Sequence, residues 1–263
     1  WQQSKLKLAL IPTMGALHLG HVSLIKQAVK VSDKQVVSLF VNPTQFAQGE
    51  DFHTYPRNLA KDLEILSELG VDLVFTPKKE DMYPEGFQSM VSSLEVAQGL
   101  CSQSRPEFFS GVCTVVLKLF NIINPDVAIF GKKDYQQLKV IEQMVRDLNL
   151  KTEVLAGEIV RAESGLALSS RNQYLSDFEL KQASFISKSL KTSVELLKAG
   201  VDSAEEILSR VKETLKRHHL EPEYLELRSA RTFKKIKAKV STPAVILVAV
   251  KVGKTRLIDN FEL

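Results

Sequence analysis

The sequence predicts an α/β protein: a Rossmann-like parallel sheet with helices on both faces, followed by a smaller C-terminal α+β domain. Three observations carry that expectation. Short apolar runs alternate with longer stretches of helical period through the first 159 residues. The order then changes, with two helical patterns ahead of the last strands. And 263 residues at 44% hydrophobic, 25% charged and 7% aromatic composition suffice for one large or two modest globular domains. The boundary is placed between 159 and 160, giving domains 1–159 and 160–263.

Taken in order, Leu6–Ile11 reads as a buried strand and Gly20–Val31 as a helix with apolar Val22, Ile25 and Val29. Val36–Val41 is a second β-branched run, closed by the turn dipeptide Asn42-Pro43. Leu59–Leu69 has helical period, Gly70 stands where a C-cap glycine is wanted, and Val71–Phe75 is a strand stopped by Pro77. Lys78 to Gly111 is irregular and richer in Ser, Gln and Gly. Val112–Ile123 reads as a helix, Val127–Phe130 as a strand, Tyr135–Leu148 as a helix and Glu153–Leu155 as the closing strand. Ligands of such sheets bind at the carboxyl ends of the strands. Beyond Val160, helices are expected near Asp177–Ala199 and Ser203–His218, the second opening on Asp202-Ser-Ala-Glu205 as a capping box. Tyr224–Leu227 and Ala244–Val252 read as strands, with a hairpin turn at Gly253 before Arg256–Ile258.

Composition excludes several classes. No run approaches the ~18 consecutive apolar residues of a membrane span, and no basic, apolar and small-residue signal leads the chain. The chain opens on Trp1 rather than methionine, which leaves the position of the natural start open. Cys101 and Cys113 have neither a CxxC partner nor a histidine at metal spacing, so reduced thiols in a cytoplasmic protein are expected. The net charge of +4 is too small to suggest a nucleic-acid partner. From Val160 onward, 19 Lys and Arg face 13 Asp and Glu, and the densest run, Arg231–Lys239, reads as a solvated face. His53, His218 and His219 show no ligand spacing.

The strongest signal is Ile11-Pro-Thr-Met-Gly-Ala-Leu-His-Leu-Gly-His21. A strand runs into a turn at Gly15 and then into a helix whose first turns hold His18 and His21. Three residues apart, the two imidazoles share a helix face. They do so at a helix N-terminus, where unpaired backbone N–H groups and the macrodipole favour anions. Gly20 is expected to leave room for a nucleobase or ribose against the helix backbone. A lone histidine is more often a cap or a core group; the whole string at a strand–helix junction points to an anion-handling site.

His-x-Gly-His after a first strand resembles the HIGH-type nucleotidyltransferase superfamily. The longer string Pro12–His21 resembles the pantoate–β-alanine ligase (pantothenate synthetase) family. Supporting strings follow in order: Phe40-Val-Asn-Pro-Thr-Gln-Phe46, Tyr55-Pro-Arg57, Gly131-Lys-Lys-Asp-Tyr-Gln-Gln-Leu138 and Gly165-Leu-Ala-Leu-Ser-Ser-Arg-Asn172. The likeness covers most of residues 8–176. It implies ATP, pantoate and β-alanine as substrates, with a pantoyl-adenylate intermediate and release of pyrophosphate and AMP. It implies an ATP site lined by Met14, Gly15, Ala16, Leu17, His18, Leu19, Gly20 and His21, by Gly131, Lys132, Lys133 and Asp134, and by Val160, Leu168, Ser169, Ser170 and Arg171. Of these, His18, His21, Lys133 and Arg171 are the expected catalytic set.

Those residue types suit the reaction. A carboxylate attacking a polyphosphate meets charge repulsion, so positioning and cationic or N–H stabilisation must supply most of the acceleration. Arg171 offers a planar fork for phosphate and Lys133 a compact point charge. Asp134 is expected on the ribose hydroxyls, since a carboxylate facing phosphate would be repelled. Gln45 and Gln137 contact pantoate by resemblance; an amide can bond a carboxylate without neutralising it. Mg²⁺ is expected to arrive with ATP, needing few protein ligands. The resemblance points to Asp62 as a candidate ligand, with an ordinary helix-surface aspartate an equal alternative. Lys61 stands where some relatives carry an acid, and Ile65 where some carry a polar residue. Lys132, where the family commonly has Glu, faces either phosphate or solvent. The resemblance also implies a homodimer, and the position of Ser169–Arg171 suggests that the C-terminal domain acts as a lid. Two other classes compete: a nucleotidyltransferase with a phosphorylated acceptor, and a nucleotide-binding regulator without chemistry. An aminoacyl-tRNA synthetase is disfavoured, since no tRNA-reading domain follows.

Overall fold

β1 (Leu8–Thr13) is an almost continuous apolar run with Ala9, Leu10 and Ile11 fully buried, the pattern required of a strand covered on both faces. It lies at the centre of the first of two units, Trp1–Glu158 and Ile159–Leu263. The computed structural model describes residues 5–263.

In the first unit β1 is followed by α1 (Leu19–Val31), β2 (Lys34–Leu39), α2 (Leu59–Glu68) and β3 (Leu73–Phe75). Two one-turn helices, α3 (Lys79–Met82) and α4 (Cys101–Ser104), interrupt the irregular middle. Then come α5 (Phe108–Ile123), β4 (Val127–Gly131), α6 (Tyr135–Asp147) and β5 (Glu153–Gly157). The five strands form one parallel sheet in the order β3-β2-β1-β4-β5. The chain moves outward from β1 to β3 and then returns to the other side of β1. Right-handed crossovers therefore put α1 and α2 on one face and α5 and α6 on the other. Ala9, Ile11, Ile25, Ala28, Val37, Leu66 and Ile129 belong to one of its core clusters.

The reversal between β1 and β4 positions the site. In open parallel sheets the crevice lies where adjacent strands lead to opposite faces. Here the β1–β4 pairing ends at Leu10↔Ala128, while β1 and β2 stay paired as far as Thr13↔Leu39. Pro12 lies just beyond that end and has no N–H to carry a ladder on. The loops after β1 and after β4 leave the sheet from that gap. At the opposite end the Leu8 N–H donates to the Asp126 carboxylate at 2.7 Å, holding the two strands together.

In the second unit α7 (Asp177–Lys198) and α8 (Ala204–Arg217) precede an antiparallel sheet of β6 (Pro222–Ser229), β7 (Ala244–Val252) and β8 (Thr255–Glu262), ordered β6-β7-β8. Ile186, Leu190, Ile207, Val211, Leu227, Ile246 and Val248 make its core. The start of α8 differs from the expected capping box. Ser203 is the cap, accepting from the Glu206 N–H, and Asp202 pairs instead with Lys239 at 2.6 Å. Helix α5 begins at Phe108 rather than Val112, so Gly111 lies inside it. Among the described residues no helix is long and apolar enough to cross a membrane.

Candidate active site

The turn after β1 is tied down by side chains. Gly15 and Ala16 both take left-handed conformations, with φ of +83° and +50°. The Gly15 N–H donates to the Thr13 hydroxyl at 3.1 Å. The Ala16 and Leu17 N–H groups donate to the two carboxylate oxygens of Asp62, at 2.9 and 2.8 Å. The His18 N–H donates to His21 Nδ1 at 3.3 Å, and the Gly20 N–H to His18 Nδ1 at 3.0 Å. Five of the donors around the expected helix N-terminus are therefore engaged within the protein, while the Leu19 N–H, the first of α1, has no hydrogen bond among the described residues.

The same bonds fix the chemistry of the imidazoles. His18 is the N-cap of α1, and each ring uses Nδ1 as an acceptor. A ring nitrogen that accepts carries no proton, so a neutral ring bears its proton on Nε2 and presents an N–H donor there. Both rings stay neutral at physiological pH. Burial, then the Lys133 charge, lowers His18 to about 4. Burial, then His18 and Lys133, lowers His21 to about 3. The ring centroids are 4.1 Å apart. Gly20 has a task inside the protein as well. A Cβ there would stand 2.7 Å from the His18 ring, so the missing side chain makes space for this imidazole.

The loop after β4 supplies the neighbouring charges. Lys133 and Asp134 lie in the 3-10 turn Lys132–Asp134 that leads into α6. Lys133 Nζ is 3.3 Å from Asp134, and both charges act on the two histidines. Lys132 turns away to Glu158, at 2.6 Å.

Gln45 closes the site beside the β1 turn. Its side-chain oxygen accepts from Asn42 Nδ2 at 3.1 Å, and its Nε2 lies 3.2 Å from Met14 Sδ. The amide is thus oriented with its donor end toward the turn after β1. Two neutral imidazole donors, an ammonium, a carboxylate and an oriented amide therefore stand at one end of the sheet, an arrangement able to hold a polar, anionic ligand.

Comparison with known proteins decides the family. The model of the family described as pantoate-beta-alanine ligase matches residues 1–262. The chain belongs to the pantoate–β-alanine ligase family. It is 46% identical to the pantothenate synthetase of Thermosipho africanus, over 98% of this chain and 92% of that one. The corresponding figures for Sulfurihydrogenibium are 47%, 97% and 92%. A crystal structure of the Thermus thermophilus pantothenate synthetase superposes with a TM-score of 0.93 at 42% identity, covering 97% of this chain and 93% of that one. That of the Francisella tularensis ligase, described as complexed with β-γ ATP and β-alanine, gives 0.81 at 38%, covering 98% and 90%.

In this ligase the two adjacent glutamines of α6 have separate duties. Gln136 is buried, accepts from the Cys101 N–H at 3.1 Å and donates among the carbonyls of residues 96–99. Gln137 is half-buried, and its amide has no hydrogen bond within the protein among the described residues, which suits a ligand contact. Asp62 is 3% exposed, not a surface aspartate. Both its oxygens accept main-chain N–H groups, and among the described residues no three His, Cys, Asp or Glu form a group able to hold a metal. The chain therefore fits a protein-held Mg²⁺ poorly.

The second unit carries the remaining expected residues on one hairpin and the turn after it. The Leu168 N–H donates to the Val160 carbonyl at 3.0 Å. Arg161 anchors the hairpin with a fork on Asp259, at 2.7 and 2.9 Å, and a bond to the Gly165 carbonyl at 3.2 Å. Ser169 caps the following 3-10 turn, accepting from the Arg171 N–H at 3.3 Å, and Ser170 is buried.

Several residues of the site were not singled out from sequence. Asn42, 1% exposed, bonds Gln45, Thr44, the Tyr83 hydroxyl and the Gly111 carbonyl. An Asn-Pro turn with a glutamine three residues on was the available signal, since asparagine side chains organise such turns. Burial holds the Tyr83 phenol above its usual range. Arg105 donates to the Gln45 carbonyl at 2.8 Å while paired with Glu50 at 2.6 Å. No local pattern announces Tyr83 or Arg105, because their partners lie 41 and 60 residues away.

Proposed function

We propose that the chain condenses pantoate with β-alanine at the expense of ATP, through pantoyl adenylate. The observation that carries this reading is the pair of neutral histidines locked as Nε2–H donors beside Lys133, with the Gln45 amide aimed at the same loop. A pantoate carboxylate oxygen attacks the α-phosphorus, the bond to the bridging oxygen breaks, and pyrophosphate leaves with the electron pair. The Nε2–H groups of His18 and His21 and the Lys133 ammonium stabilise the charge gathering on the phosphate oxygens. Neutral donors do this without pairing tightly with ground-state ATP, so their effect is concentrated in the transition state. Gln45 and Gln137 hold the pantoate oxygens without quenching the nucleophile. In the second step the β-alanine amine attacks the acyl carbon, loses a proton, and AMP departs.

By resemblance, Asp134 takes the ribose hydroxyls, while Ser169, Ser170 and Arg171 serve the phosphates. Mg²⁺ enters on ATP, coordinated by its phosphates and water. We assign the second unit the role of a lid, and the protein to the cytoplasm as a homodimer. The test is pyrophosphate release that needs both ATP and pantoate, followed by AMP and pantothenate on addition of β-alanine. Release with a phosphorylated acceptor and none with pantoate would establish the rival transferase. Nucleotide binding with no turnover would establish a regulator.

A further inference from the structure

Asp62 lies in the first turn of α2, where the helix dipole favours a carboxylate. It reaches across to the turn after β1 and takes one main-chain N–H on each oxygen, from Ala16 and Leu17. The fit is close: a Cβ on Gly15 would stand 3.0 Å from Asp62 Oδ2. The turn needs such a restraint. Ala16 is an L-residue at φ +50°, a conformation that persists only when its surroundings hold it. Thr13 secures the N–H before it, Asp62 secures the next two, and His18 and His21 secure those after. Hydrogen bonds on the successive N–H groups of residues 15–18, and on that of Gly20, thus tie α2 through this main chain to the two imidazoles. The neighbours of Asp62 do not suit a metal: Lys61 precedes it, and Ile65, one turn on along the same helix face, brings no oxygen.

We propose that Asp62 is a positioning residue: its carboxylate holds the Ala16–Leu17 main chain so that His18 and His21 meet ATP in the right tautomer and place, and it binds no metal. The inference rests on the function proposed above and sharpens it. Asp62→Asn keeps the shape but sets an NH₂ group against one of the two N–H donors. The rate of pyrophosphate release should then fall roughly 10- to 100-fold, as for a misplacement approaching an ångström. The Mg²⁺ concentration giving half the maximal rate should not move. Histidine ¹⁵N spectra should show acceptor Nδ1 and protonated Nε2 in the unsubstituted protein and a loss of that pattern in the variant. In the unsubstituted protein, Mg²⁺ without nucleotide should leave the Ala16 and Leu17 amide resonances in place, a measurement that does not depend on the variant folding. A variant rescued by excess Mg²⁺, an unchanged rate and ring pattern, or amide shifts on adding Mg²⁺ alone would each overturn the proposal. If the unsubstituted protein releases no pyrophosphate, the functional reading fails instead, and the amide and ring spectra still decide what Asp62 holds.

Discussion

Replacing Gly111 by alanine should cripple the use of pantoate while leaving the fold intact. Gly111 lies in the first turns of α5, directly against the Pro43–Gln45 turn. A Cβ there would stand 2.4 Å from the Thr44 carbonyl oxygen, 2.6 Å from its carbon and 2.9 Å from the Thr44 hydroxyl. The first two are main-chain atoms, so no side chain can rotate away. To reach even the 3.0–3.4 Å of a tight contact, helix and turn must part by 0.6–1.0 Å. That displacement stretches the 3.1 Å bond from Asn42 to the Gly111 carbonyl and carries Gln45 with it. An error of about 1 Å in a substrate-positioning group costs about 100-fold in rate. Stability should fall by no more than about 2 kcal/mol, because about 1 kcal/mol of helix propensity gained offsets part of an overpacking cost of about 1–3 kcal/mol. Steady-state kinetics should give a kcat/KM for pantoate lower by roughly 10- to 100-fold, with a melting temperature within a few degrees of the parent. A variant whose kcat/KM for pantoate stayed within about twofold of the parent would refute the claim that this contact sets the place of Gln45.

Three further outcomes are expected. His21→Ala should lower the adenylation rate far more than ATP affinity, as seen by single-turnover and binding measurements; equal losses would remove its transition-state role. Both histidines have depressed folded values, so below the unfolded value of 6.5 the unfolded chain takes up protons that the folded rings refuse. Stability is therefore complete above that pH and falls toward pH 4, by at most about 1.4 kcal/mol per unit per ring and less with solvent screening. Urea midpoints between pH 7 and 5 should fall less steeply for His21→Gln, and identical slopes would contradict the assignment. Arg161→Gln loses the fork on Asp259, a carboxylate 3% exposed, and should cost about 3 kcal/mol by urea unfolding. A loss below about 1 kcal/mol would mark the pair as no more than a surface contact.

What could be read from the sequence was what is local in it. The β1 strand, the Gly15 turn and the two histidines follow one another within fourteen residues, from Leu8 to His21, but His18 is the N-cap of α1 in extended backbone, so capping bonds rather than a shared helix face bring the imidazoles together. The strand ahead of Lys133 and the α6 helix behind it were equally plain. The supports of the site were not, because each is a contact across a large separation: Asp62 to Ala16 over 46 residues, Asn42 to Gly111 over 69. The start of α5, at Phe108 rather than Val112, is hidden in sequence for a related reason. Glu107 forms no side-chain cap, and Gly111 reads as a breaker in sequence, whereas in space its bare backbone is what lets α5 approach Thr44. Gly20 has a comparable role, with the His18 ring two residues away standing where its side chain would be.

The neighbouring places of β1 and β4 have a consequence for biosynthesis. A nascent chain emerges from the ribosome with both histidines more than a hundred residues before Lys133. Until Ala128 is free to pair with Leu10 and Asp126 to receive the Leu8 N–H, the first strand has a partner on one side only. Such distant pairings form late, since loop closure precedes any reward. A ribosome stalled before residue 126 would therefore display an incomplete sheet with no working centre, so a truncated product of this kind would bind substrates poorly rather than trap them.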